Sequence, residues 1–578
     1  MKKTRCSMKT RRASKQPDFL AALIRTAYLP EEIPPVVTSR YFSSFCRSEY
    51  SYLKTQQKSL IKSSTNYDTF TAPRPVGGRR NLALVHPLAQ LGISLLITQH
   101  RSRIKKIISK TKTSLYRTNE DMAHSKAFAG LDFRSWDARA AQLYSESQFV
   151  LKADISRFFY TAYTHSIPWA VLGKERVKEW LIHNKSKLNA HWSSDFDTAL
   201  QSCQSRETFG IPVGPDTSRV IAEILVAGVE ADKNYASLVK DRPRIRLLDD
   251  FIVGFDDENE AQKARTALRR ALWGFNLQLN EEKTSVSQSR MFFRDKWKLE
   301  FEAIRISDSD DAKQEHDIYR LIDLTLHLCS VYGTNAPAHW ACVRFSGLKR
   351  VSRNFRIIFD AMLRFARDFP SCTHHVAAFL INNKSRCNDP YLRNRIDMWI
   401  RGTVRNYFQH SYDFEVARCL LVSGVFQITI HEKDLVSFEP TPNSVNFAIL
   451  GMLRERGLLS VPLSRWAWRP VFKKNGIYGE NWLPFYEAVR RKWTKDKAMI
   501  SAVTGDPILN KMLTAEVTFL EDHVFDATKI DVRRRVFRRS RRYKLPQAEY
   551  PQHKEEAEEE DKSHELSGSR MVIGDYGL

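Results

Sequence analysis

The stretch Arg244-Ile245-Arg246-Leu247-Leu248-Asp249-Asp250-Phe251-Ile252-Val253-Gly254-Phe255 decides the fold. Apolar and basic residues lead in, two adjacent carboxylates interrupt, and an apolar run leads out. That pattern predicts a strand, a tight acidic turn and a second strand, with Asp249 and Asp250 at the tip of a hairpin. An Asp-Asp pair alone is more often a solvated turn than a metal site. Its meaning changes with a second acid far upstream, Asp154 in Val150-Leu-Lys-Ala-Asp-Ile-Ser-Arg-Phe-Phe159, which also ends an apolar strand. Acids brought together in this way can hold two Mg²⁺ ions about 3.5–4 Å apart and run an in-line displacement at phosphate.

Composition narrows the partners. At 578 residues the chain exceeds one hydrophobic core, so two to four domains are expected. Lys and Arg number 91 against 66 Asp and Glu, a net charge of +25. A surplus of that size favours phosphate polyanions, which gain from counterion release. No apolar run approaches the length that spans a bilayer, so no membrane partner is expected. The eight cysteines are scattered without a Cys-x-x-Cys spacing, which fits buried thiols in a reducing cytoplasm. The basic start lacks a following apolar region, so no secretory signal is read there.

Along the chain, residues 1–17 read as a basic arm, and helical periodicity follows to about Lys62, broken at Pro34-Pro35. Thr71 to Pro87 reads as a hairpin turning at Pro75-Val76-Gly77-Gly78 with Arg74, Arg79 and Arg80 around it. A helix is predicted over Leu88–Ile107. Helices are again expected between Phe158-Phe159-Tyr160 and Cys203. The stretch Phe209 to Ile224 begins as a rigid Gly/Pro loop, and Asp216, Thr217 or Ser218 is expected to cap the helix after it. A helix over Glu260–Trp273, a strand running into Lys283 and a further hairpin over Met291–Ile306 complete this half. From Ser307 helical stripes dominate, without a regular repeat. His374-His375 lies there and reads as structural. Arg533 to Arg542 is a dense basic run, and the tail after Pro546 has the composition of a disordered segment. The resulting expectation is an α+β chain with a basic arm (1–17), a catalytic unit (18–306), a mostly α-helical domain (307–545) and a charged tail (546–578).

In this order, the basic hairpin, the Asp154 strand, the glycine turn, the Asp249-Asp250 hairpin, a helix and Lys283 resemble the fingers and palm of reverse transcriptases. The resemblance covers about Thr71 to Ile306. It implies a right-hand polymerase fold, with Asp154, Asp249 and Asp250 as the catalytic acids. Asp154, the Ile155 carbonyl and Asp249 would bind metal, Mg²⁺ or alternatively Mn²⁺. Arg80 would hold triphosphate, Phe159 would close against the sugar 2′ position, Gly210 would let backbone approach the base pair, and Lys283 would lie near the leaving pyrophosphate. Two departures stand out. Leu247 occupies a position that is usually aromatic, and Phe209 replaces the usual glutamine before the motif glycine.

The wording Gly210-Ile-Pro-Val-Gly-Pro-Asp-Thr-Ser-Arg-Val-Ile-Ala-Glu223 is most similar to the bacterial abortive-infection (Abi) and unknown-group defence branch. That branch implies phage defence in the bacterial cytoplasm and, in part, untemplated DNA synthesis primed from the protein itself. The partners implied are deoxynucleotides, a single-stranded DNA product attached to the protein, and RNA, with a homo-oligomer left open. Two alternatives stay open: an RNA-templated, retron-like enzyme with a companion non-coding RNA, and an inactive polymerase scaffold that binds nucleic acid.

Overall fold

Period-two alternation in the deciding stretch builds a sheet covered on both faces. In the computed structural model, residues 16–526 are described, apart from 75–76, 112, 118–126, 129, 132, 292–295, 309, 349–350, 352, 436–441, 463–471 and 474–475. The strands in chain order are β1 (Asp68–Pro73), β2 (Arg79–Leu84), β3 (Tyr116–Arg117), β4 (Gly130–Leu131), β5 (Phe149–Asp154), β6 (Arg244–Leu247), β7 (Asp250–Phe255) and β8 (Ser285–Gln288). β5 to β8 form a four-stranded sheet in the order β6-β7-β5-β8, with every neighbouring pair antiparallel. Leu151, Ala153, Phe251, Val253 and Phe255 enter the main core. Val150, Ile245 and Ile252 form a smaller cluster on the other face with Ala140 and Leu143. Successive strand residues point to opposite faces, so Asp154 and Asp250 continue the row of Val150 and Ile252.

Helices pack on this sheet where the apolar periodicity allows. Glu258–Gly274 buries Ala261, Ala264, Leu268, Ala271 and Leu272, and lies against β5, β7 and β8. Its N-terminus is capped by the Asp257 carboxylate, which accepts from the Glu260 amide at 3.1 Å. Asp216–Glu230 is apolar nearly all round and is buried between the helices Pro87–Ile108, Ser166–Leu172 and Glu258–Gly274. Gly254 is required within β7, because a Cβ there would overlap the Ser147 side chain.

The hairpin β1–β2 pairs from Asp68↔Leu84 to Pro73↔Arg79. It rests against the helix Asp413–Phe426 of the C-terminal half. The chain's two described ends also meet: the Thr38 amide donates to the Phe519 carbonyl at 2.7 Å, and the Glu521 amide to Val36 at 2.8 Å. One continuous apolar core runs from Phe19 to Phe525. The fold is therefore mixed α/β and rich in helix, with the helical half packed directly on the hairpin β1–β2.

Four local expectations are corrected. Met291–Ile306 is not a hairpin: Lys296–Glu302 is a helix, with Trp297 and Phe301 buried against Trp340. The residues before Lys283 form no regular strand. Leu279 makes one bridge to Ile155, and β8 begins only at Ser285, after a turn. The helix Asp216–Glu230 has Pro215 at its cap position without a side-chain cap, and Asp216 instead pairs with Arg219 inside the first turn. Gln16 and Pro17, assigned to the arm, already belong to a helix. The basic run from Arg533 and the charged tail lie outside the described residues.

Candidate active site

Three carboxylates and an ammonium group meet at one end of the four-stranded sheet. Asp154 ends β5, Asp250 begins β7, and the two are register partners. Asp249 lies in the two-residue loop between β6 and β7, which the Leu247↔Asp250 pair closes. Such loops require a left-handed residue at a central position, usually Gly or Asn. Here Leu248 takes it, with φ 59°. For a residue with a Cβ, that conformation costs about 1–2 kcal/mol.

The side chain beneath the turn is Arg246, which is fully buried. Its Nη1 and Nη2 donate to the two carboxylate oxygens of Glu223 at 3.0 and 2.9 Å. Its Nε donates to Glu230 at 3.1 Å, and Nη1 also donates to the Leu248 carbonyl at 2.9 Å. The second oxygen of Glu230 accepts from the Thr113 hydroxyl at 2.7 Å. Burial works against the guanidinium charge, but Glu223 and then Glu230 outweigh it and hold Arg246 above its ordinary pKa.

Asp154 is held from the side of β8. Asn280 Nδ2 donates to its Oδ2 at 3.0 Å, and Lys283 Nζ lies 3.4 Å from its Oδ1. The Asn280 amide also donates to the Asp154 carbonyl at 2.8 Å, and the Ser156 amide to Gln278 at 2.8 Å. Those two bonds flank the Ile155↔Leu279 bridge, so the carbonyl of buried Ile155 points away from Leu279, toward the Asp249 side.

Two of the three carboxylates, Asp249 and Asp250, are raised. Burial and then the charge of Asp154 push Asp249 up to about 6, although a backbone bond at Asp249 opposes the rise. Burial, Asp249 and Asp154 push Asp250 up to about 7. Asp250 is exposed as a residue, so crowding by its two neighbours is the sounder cause of its shift. A hard dication relieves that crowding, and an all-oxygen donor set of carboxylates and a carbonyl suits Mg²⁺. By donor chemistry, Asp154, Asp249 and the Ile155 carbonyl are the groups that would hold such an ion.

Around this cluster, the glycine loop is stitched in place. Gly210 has φ +96°. Its amide donates to Ala162 at 2.8 Å, and the Ile211 amide donates to the Phe159 carbonyl at 2.6 Å. Gln204 Nε2 donates to the carbonyls of Glu207, Phe209 and Gly210 at 3.0–3.1 Å. Phe159 is half-buried with its ring 5.4 Å from that of the buried Phe158. Phe209 is 55% exposed and lies tilted against Tyr163 with ring centroids 4.9 Å apart. Arg80, expected at triphosphate, is paired with Glu32 in this structure. Lys283 is largely exposed.

Sequence reasoning passed over Arg246, Glu223, Glu230 and Asn280. One signal was present: an arginine inside an apolar strand and a glutamate inside the apolar run Val220-Ile-Ala-Glu-Ile-Leu-Val226. Each is costly alone and stable only as part of a pair.

The histidine pair of the helical half gains a third member, His339, with ring nitrogens of the three within 4.8 Å of one another. Burial lowers all three, His339 to about 4. His339 bonds to His375 at 3.0 Å and to the Ser371 hydroxyl at 2.9 Å. The positive charge of Arg418 acts on His374 and disfavours a cation there.

Among the described residues no helix is long and apolar enough to cross a membrane. No family model matches the chain, and no curated protein matches it. Among solved structures, it is similar to the apo telomerase of Candida tropicalis, with TM-score 0.28 and 11% identity, over 68% of this chain and 72% of that one. A form of that telomerase truncated from its C-terminal domain matches with TM-score 0.26 and 13% identity, over 42% of this chain, which spans only 55% of it. The telomerase of Candida albicans, in complex with a fragment of telomeric RNA, matches with TM-score 0.25 and 12% identity, over 65% and 70%. At TM-scores this low the likenesses decide nothing, and the reading of the site rests on its own geometry.

Proposed function

We propose that this chain is a reverse-transcriptase-like DNA polymerase of the abortive-infection defence type, which extends a protein-borne primer without an external template. One observation carries the nucleotidyl-transfer reading: Asp154 and Asp250 are paired across β5–β7, with Asp249 on the adjoining turn and Lys283 3.4 Å from Asp154. Bound Mg²⁺ would supply charge neutralisation for the attacking hydroxyl and the departing pyrophosphate. The protein's own part is positioning. Asn280 fixes one oxygen of Asp154, and Lys283 offers a cation to the leaving group. The loop at Gly210 presents backbone to the base, and Phe159 limits room beside the sugar. In such transfers, positioning and charge neutralisation supply most of the rate.

Support for the untemplated, self-primed form comes from the sequence wording at Gly210–Glu223 and from two structural features. Phe209 is held exposed on a rigid loop where a hydrogen-bonding glutamine is usual, and an aromatic face tolerates any base. The long helical half also packs on the hairpin β1–β2, and a hydroxyl-bearing side chain carried by the same chain would act at high effective concentration. The test is incubation of purified protein with labelled deoxynucleotides and no added nucleic acid, followed by denaturation and separate protease and nuclease digestion. Label that stays with protein until protease is added is the expected result. Free labelled DNA, or label that requires added RNA, favours the templated, retron-like alternative. No incorporation under any condition favours an inactive scaffold.

A further inference from the structure

The acidic turn is strained in a way that its own sequence does not relieve. Leu248 is left-handed although it is neither glycine nor asparagine. The group that touches it from below is Arg246, whose guanidinium makes four hydrogen bonds, three to carboxylates and one to the Leu248 carbonyl. Backbone bonds fix the same residue. Its amide donates to the Thr113 carbonyl at 3.0 Å, and its carbonyl accepts from the Leu115 amide at 2.9 Å. Both carboxylates that orient the guanidinium belong to the helix Asp216–Glu230, which begins directly after the Gly210–Gly214 loop. One rigid helix therefore sets the position of the nucleotide-side loop and, through Arg246, of the acidic turn.

We infer that Arg246 is a positioning residue, which holds the Leu248 carbonyl so that the strained turn presents Asp249 beside Asp154. This rests on the polymerase reading for its catalytic meaning, and on geometry alone for its structural part. Lysine cannot substitute. It has a single nitrogen, whereas three nitrogens in a planar fork bridge Glu223, Glu230 and a carbonyl at once. Without the guanidinium, the turn would relax to a conformation that Leu248 prefers. Asp249 would move off its partner, and partners of this outer kind change metal affinity by about 10–100-fold.

The decisive experiment compares wild type, Arg246→Lys, Leu248→Gly and the double variant. Two measurements are made on the full chain: hydrogen exchange of the peptide spanning residues 244–255, and Mn²⁺ binding followed by the electron paramagnetic resonance of free Mn²⁺. Asp249→Asn serves as the no-site reference. Arg246→Lys is expected to speed exchange in that peptide and to weaken Mn²⁺ binding about tenfold. Adding Leu248→Gly should restore most of the affinity, because glycine takes the left-handed conformation without help. A purely structural arginine predicts no such rescue, so a double variant as weak as Arg246→Lys overturns the inference. Unchanged exchange and affinity in Arg246→Lys overturn it equally. Should Arg246→Lys not fold, Glu230→Gln loosens the same guanidinium and is expected to shift both measurements in the same direction; no shift in either overturns the inference. Wild type that binds Mn²⁺ no better than Asp249→Asn defeats the polymerase reading instead, while the exchange data still decide whether Arg246 holds the turn.

Discussion

The guanidinium of Arg79 lies 2.8 Å from the buried carboxylate of Glu415, joining the hairpin β1–β2 to the helical half across 336 residues of sequence. The same arginine covers the Tyr412 ring at 4.0 Å and donates to Thr71. Arg80, next to it, pairs instead with Glu32 at a more exposed position. Neighbouring arginines in one basic hairpin therefore have different work.

Arg79→Ala should destabilise the protein by about 3–5 kcal/mol, because it strands a buried carboxylate. Arg80→Ala should cost less than about 1 kcal/mol, as an exposed pair does, and should raise the KM for deoxynucleotides. Thermal melting and steady-state incorporation on the two variants separate these outcomes. Equal losses of stability would reject the assignment.

The seam between hairpin and helical half also contains two buried acids. Burial pushes Asp68 up to about 6 and Asp413 up to about 7, although hydrogen bonds from Ser444, Thr69 and Thr71 pull the other way. Both folded values exceed the ordinary carboxylate value, so between about pH 4 and pH 7 the folded state binds more protons than the unfolded state. Stability from these groups is present at low pH and is lost as pH rises. Asp413→Asn should flatten the fall in melting temperature from pH 5 to pH 8. A slope identical to wild type would show that Asp413 does not titrate in this range.

Asp154→Asn and Asp249→Asn should each reduce incorporation by about 10²-fold or more, since charge stabilisation in such sites is worth that much. Melting temperatures should hold or rise without metal, because each change relieves carboxylate crowding. Normal incorporation in both variants would exclude the two-metal assignment.

Phe159→Ala should admit ribonucleotides, narrowing discrimination against them by about tenfold. The half-buried ring contacts Phe158, so a small drop in melting temperature should accompany the change. Lost stability with unaltered sugar selectivity would mean that Phe159 only packs.

Removing the chain from Arg533 onward should lower the slope of log affinity for single-stranded DNA against log salt by roughly 0.7 for each phosphate the basic run neutralises. An unchanged slope would assign that run to another partner.

What the sequence by itself determined was local. Alternation and the Asp-Asp interruption specified the β6–β7 hairpin, because a period of two leaves one consistent pairing. Apolar spacing specified the helices Pro87–Ile108 and Glu258–Gly274 to within two residues of expectation. The positions of Asp154 at a strand end and of Asp249 on the hairpin turn were legible for the same reason. Local pattern failed where tertiary packing chose the element. Met291–Ile306 alternates in part and reads as a hairpin, yet within it Trp297 and Phe301 are buried on a helix against Trp340. Only the tertiary structure decided which charges are partners. Glu223, Glu230 and Arg246 meet because a helix crosses beneath a hairpin, and Arg79 meets Glu415 because the helical half folds back onto the hairpin β1–β2. A buried charge is stable only beside its opposite. Sequence can show that such a charge needs a partner, but the partner's identity depends on contacts that no local period encodes.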